Sequence, residues 1–100
     1  MQKKSDFENW LNNSTSLSSS TISKYSGAIN TMSKELSNYS YIEGSLYNLT
    51  DPGEIEGKLR KYLSIPEYCE KDRRGNRMYS NALKYYIAYS KELGSVLRNN

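Results

Sequence analysis

The stretch Lys71–Leu93, KDRRGNRMYSNALKYYIAYSKEL, decides the fold. It opens on a basic turn, where Arg73 and Arg74 lead into Gly75-Asn76 and Arg77 follows. Apolar or small positions then recur at Tyr79, Ala82, Leu83, Tyr86, Ser90 and Leu93, the three-and-four spacing of a buried helical stripe. Gly94 stands where a left-handed residue ends many helices. The pattern predicts a long helix on which the rest of the chain packs, with its cations gathered at one end.

Outward from this stretch, the preceding segments also read as helices. Asp51-Pro52-Gly53-Glu54 is a start signal: Asp51 can accept amide hydrogens, Pro52 suits the first helical position, and Glu54 can close a capping box. Ile55, Leu59, Tyr62 and Leu63 follow as its buried face. Pro66 ends or restarts this helix, and one further turn is expected over Pro66–Glu70. From Ser20 to Leu36, Ile22, Tyr25, Ile29, Met32 and Leu36 form one narrow stripe. A first short helix over Asp6–Asn12 places Phe7, Trp10 and Leu11 on one face, with Ser5 as its cap. Between helices, Asn12–Ser20 is a polar connection in which Leu17 can act as a staple. Ser37–Thr50 reads as irregular loop with a helical turn, because a lone hairpin is only marginally stable. The expected architecture is all-α: one domain over residues 1–100, a small bundle of four or five helices.

Composition narrows the chemistry. Hydrophobic residues make up only 36% of the chain, but ten of the hundred residues are tyrosine. Tyrosine has a large apolar body, so a folded domain with a thin, aromatic core is expected. There is no histidine, which removes the usual general base, the Ser-His and Cys-His pairs and the commonest metal ligand. A single cysteine, Cys69, builds neither an internal disulfide nor a zinc site and reads as a small buried hydrophobe. Glu56-Gly57-Lys58 matches the Glu-x-Lys element of metal-dependent nucleases, but the capping signal puts it on a helix rather than a sheet edge. No glycine-rich phosphate loop is present. The chain is therefore expected to be no enzyme and to need no metal or cofactor. With no apolar run of membrane-spanning length and no apolar secretion signal, a cytoplasmic protein without a membrane partner is expected.

The net charge of +3 is modest, but the cations are clustered. Lys71, Arg73, Arg74 and Arg77 can neutralise phosphates, and Asn76 can bond to phosphate or a base edge. Amides at the start of the last helix would add a weak anion site. The alternative is a solvated face on which Glu67, Glu70 and Asp72 balance the cations locally. Tyr85 and Tyr89 fall off the main stripe, as surface rings for stacking or as a second packing face.

Several of these stretches also carry a resemblance. They are the entry Ser18-x-x-Thr21-Ile22-x-x-Tyr25, the link Tyr47-x-x-x-Asp51-Pro52 and the helix Gly75-Asn76-x-x-Tyr79-Ser80-x-Ala82-Leu83-x-x-Tyr86. Together they resemble the helical N-terminal module ahead of the catalytic domain in bacterial restriction endonucleases, of the HNH type or McrB-like. Phe7-x-x-Trp10-Leu11 followed by the same Ser18–Tyr25 entry is also similar to the core-binding domain of phage integrases, without the integrase catalytic set. Both resemblances imply a helical domain that engages DNA while another domain cuts. The function expected is a non-catalytic DNA-binding module of a restriction or phage-defence protein, contacting phosphates through Lys71, Arg73, Arg74, Asn76 and Arg77. Its partners would be DNA and a nuclease domain or another protein. The competing class is a small protein-interaction module, a phage or host factor that binds a defence enzyme through an aromatic and arginine-rich surface.

Overall fold

A helix can begin only where something satisfies the unpaired amides of its first turn, and here the sequence is explicit. The computed structural model describes residues 3–98, with side chains through residue 94. Its helices are α1 (Lys3–Ser14), α2 (Ser19–Asn38), α3 (Pro52–Ser64), α4 (Pro66–Arg74) and α5 (Met78–Arg98), and a 3-10 turn covers Leu46–Asn48. No strand occurs among the described residues, and the fold is an all-α bundle. The Ser18 hydroxyl accepts the Thr21 amide at 3.2 Å, so α2 starts just ahead of the expected Ser20. Asp51 Oδ2 accepts the Glu54 amide at 3.0 Å, with Pro52 at the head of α3. Ile65 is extended (φ −86, ψ 115), as a following proline demands, and divides α3 from α4. α1 runs further than expected at both ends.

α5 packs along α2 and α3 and also touches α1 and α4. Its Ala82, Leu83, Tyr86 and Ser90 are buried as the spacing predicts, joined by Ile87. Leu93 departs from that expectation: it lies one turn past Ser90, beyond the last buried layer described on α5, and remains 43% exposed. Gly94 is not a terminator either. α5 continues through it to Arg98, and its φ is not positive, so the left-handed geometry of such a cap is absent there. On α2, Ile22, Ile29, Met32 and Leu36 are buried and Tyr25 is half-buried. Ser26, Ala28 and Ser33 widen that stripe, because α2 also packs on α1 and the 3-10 turn.

Tyrosine supplies the core volume that aliphatic residues do not. Phe7, Tyr47 and Tyr86 meet edge-on or tilted, with the Phe7–Tyr86 centroids 5.2 Å apart and the Tyr47–Tyr86 centroids 5.4 Å apart. The Tyr47 hydroxyl donates to the Ser26 carbonyl (2.8 Å) and that of Tyr86 to the Leu49 carbonyl (3.1 Å). Burial pushes the Tyr86 hydroxyl up to about 12 and raises that of Tyr47 as well, so both stay protonated donors. Tyr89 belongs to this group too, against Phe7 and Trp10, while Tyr85 contacts Tyr25: a second packing face accounts for both. Trp10 closes that end, donating from Nε1 to Glu92 at 2.8 Å.

The expected loop with its helical turn is shorter than Ser37–Thr50, because α2 takes Ser37 and Asn38; residues 39–50 form it, pinned where the Leu46 amide donates to the Ser33 hydroxyl (2.8 Å). Cys69 is exposed rather than buried: α4 turns Tyr68 and Asp72, four residues apart, inward and leaves Cys69 outside. Leu83→Ala is expected to destabilise the chain by about 2–5 kcal/mol, whereas Leu93→Ala should fall within about 0.5 kcal/mol of the parent. Urea unfolding of the two variants checks this difference.

Candidate nucleic-acid interface

The basic segment is not one turn but the end of one helix and the connection to the next. α4 runs to Arg74, past the expected limit at Glu70, so Lys71, Asp72, Arg73 and Arg74 are helical and only Gly75, Asn76 and Arg77 form the turn. The three-and-four period of α4 divides these residues by role. Tyr68 and Asp72 point inward, and Glu70, Arg73 and Arg74 point outward.

Asp72, expected on the surface as a balancing charge, is fully buried. Its carbonyl accepts the Arg77 amide (2.7 Å) and its Oδ1 accepts the Ser80 amide (2.9 Å), so it caps α5 from the preceding helix. Oδ2 has no partner among the described residues. The start of α5 thus already holds a carboxylate from this chain, which corrects the expectation of free amides forming an anion site there. Asn76 and Arg77 are both left-handed, at φ 57 and 61, while Gly75 is not. Asparagine tolerates that geometry; for Arg77 it costs on the order of 1 kcal/mol, against which the bond to Asp72 acts.

Lys71, expected among the phosphate contacts, is engaged within the bundle. Its Nζ pairs with Glu35 of α2 (2.7 Å) and lies over the Tyr79 ring, 4.6 Å from the centroid. Burial works against its charge, but Glu35 outweighs that and holds the ammonium above the ordinary lysine range. Arg73 and Arg74 converge on one acceptor: Glu70 receives Arg73 through Nε (3.1 Å) and Nη2, and Arg74 through Nε (3.3 Å). These bonds, those of Arg73 foremost, hold the Glu70 carboxyl below its usual range. Both guanidinium side chains still face solvent, 63% and 77% exposed. Asn76 and Arg77 are exposed, and Arg77 makes no ion pair with any described residue.

The structure therefore brings Arg73, Arg74, Asn76 and Arg77 together on one outward surface and assigns Lys71 elsewhere. Glu70 balances the two arginines as the sequence alternative expected, standing three and four residues before them. Two features of the site were not read from the sequence: the Asp72–Ser80 cap and the Glu35–Lys71 pair join residues too far apart for any local rule.

No three His, Cys, Asp or Glu residues among those described are placed to hold an ion. Glu56 and Lys58 lie on α3, where Glu56 pairs with Arg60 (3.5 Å) and Lys58 donates to the Tyr41 carbonyl (2.7 Å). No described helix is long and apolar enough to cross a membrane. Comparison with family models, curated proteins and solved structures finds no match to this chain.

Asp72→Ala is expected to cost about 0.5–2 kcal/mol through the lost cap. Glu70→Ala should leave stability almost unchanged, because an exposed pair contributes little. Thermal unfolding of both variants checks the assignment of inward and outward roles on α4.

Proposed function

We propose that this chain is a non-catalytic, DNA-contacting module of a restriction or phage-defence protein acting in the cytoplasm. The observation that carries the reading is the joint exposure of Arg73, Arg74, Asn76 and Arg77 on the α4–α5 connection. Two guanidinium groups already share a carboxylate there, and the oxygens of a phosphate suit the same donors. Displacing Glu70 is cheap because an exposed ion pair is weak. Contacts of this type fix position on the duplex without reading bases, so binding is weak and largely independent of sequence. An integrase-like core-binding role would use the same cations. The assignment to a defence system rests on the resemblance of the Ser18–Tyr25, Tyr47–Pro52 and Gly75–Tyr86 motifs.

The protein-interaction reading is favoured by a different observation, the exposed Tyr39 beside Glu67, and it concerns the opposite end of α4.

Replacing Arg73 and Arg74 together with alanine should weaken duplex binding and reduce the salt slope by roughly one to two units, near 0.9 per lost contact. Glu70→Gln should act in the opposite sense, since it releases both guanidinium groups from an ionic competitor. Fluorescence anisotropy at two salt concentrations measures both effects. Unchanged binding in the double variant would remove the basic connection as the DNA site. Plasmid DNA incubated with the chain and magnesium or manganese should stay intact; cutting that disappears in Glu56→Ala would contradict the non-catalytic assignment.

A further inference from the structure

Lys71 illustrates how this bundle holds a cation. Its ammonium lies over the Tyr79 ring and pairs with Glu35, whose other oxygen accepts the Tyr62 hydroxyl at 2.7 Å. A ring face, a carboxylate and a tyrosine hydroxyl bonded to that carboxylate act together. Lys61 uses another ring, sitting 4.7 Å from the Tyr41 centroid.

The same parts recur at the surface. The Tyr39 hydroxyl donates to Glu67 Oε1 at 2.6 Å, Glu67 is exposed, and Tyr39 is 41% exposed. Tyr39 stacks on Tyr41 (5.8 Å, 18°) and meets Tyr68 edge-on (5.8 Å, 77°), so its ring is braced in place. The bond to Glu67, more than burial, pushes the Tyr39 hydroxyl up to about 12 and keeps it a donor. Among the described residues, no lysine or arginine pairs with Glu67 or covers the Tyr39 ring.

We propose that Tyr39 and Glu67 form a docking point for an arginine or lysine side chain on a basic segment of a partner protein. A ring attracts a cation through its quadrupole, and the neighbouring carboxylate adds charge complementarity. Phosphate is the wrong occupant, because Glu67 stands at the ring's hydroxyl. Glu67 and Arg74 lie about 10 Å apart along α4, at 1.5 Å per residue. α4 thus places a carboxylate, which with Tyr39 would receive a cation, at its start and cations of its own at its end, and the Tyr39–Glu67 site does not depend on the DNA reading.

The test is an NMR titration of the full chain with a short peptide of alternating arginine and glycine, and with its counterpart carrying glutamate for arginine. The arginine peptide should shift the amide signals around Tyr39 and Glu67, and the glutamate peptide should not. Tyr39→Leu and Glu67→Gln should each weaken the arginine peptide about two- to fivefold, while Tyr39→Phe keeps more affinity than Tyr39→Leu. The Arg73/Arg74 double alanine variant should bind it as the parent does, which separates this site from the DNA surface. Shifts confined to other parts of the chain, or unweakened binding in a folded Tyr39→Leu variant, would overturn the proposal.

Discussion

A tyrosine hydroxyl buried along with its ring needs an acceptor, and that constraint organises this bundle. An unpaired buried hydroxyl costs about 1–3 kcal/mol, a large share of a small domain's stability. Tyr47, Tyr62 and Tyr86 escape that cost by reaching the Ser26 carbonyl, Glu35 and the Leu49 carbonyl. These three bonds tie α2 to the 3-10 turn, α3 to α2, and α5 to the loop before α3. Glu35, fixed by Tyr62, in turn receives Lys71 and so anchors α4 against α2. The outward direction of Arg73 and Arg74 follows from that anchoring, because Asp72 and Tyr68 occupy the inner face.

α4 spans nine residues, too few to be stable as an isolated helix, so its neighbours hold it. Its charges are arranged along the axis, with Glu67 in the first turn and Lys71, Arg73 and Arg74 in the last. That order complements the helix dipole and has a structural purpose of its own. The two arginines therefore serve α4 with or without a ligand. The proposed phosphate contacts rest instead on their exposure and on the weakness of the pair they share with Glu70. The same polarity leaves an exposed carboxylate, Glu67, at the start of the helix and exposed guanidinium groups at its end.

Much of the fold was legible because its signals are local. Asp51–Pro52 and Ile65–Pro66 each fix a helix boundary within a few residues, and the Ile22–Leu36 stripe fixes a buried face; the Ser18 cap on Thr21 is as local, but the start expected was Ser20. Leu93 and Gly94 misled because periodicity and a glycine describe a helix but not where its neighbours stop. Cys69 misled because its burial depends on the phase of α4, which was expected to end sooner. At the candidate site, sequence proximity identified Arg73, Arg74, Asn76 and Arg77 as a group. It could not show that Asp72 would turn inward to cap α5, or that Lys71 would be drawn to a glutamate 36 residues away. Both depend on tertiary placement, which composition and spacing do not encode.

The most direct measurement is the affinity of the unmodified chain for a short DNA duplex as salt is varied. With Arg73, Arg74 and Arg77 each meeting a phosphate, log K should fall against log salt with a slope of roughly −2 to −3, at about 0.9 per contact. Binding that does not change with salt, or no binding at low salt, would contradict the account.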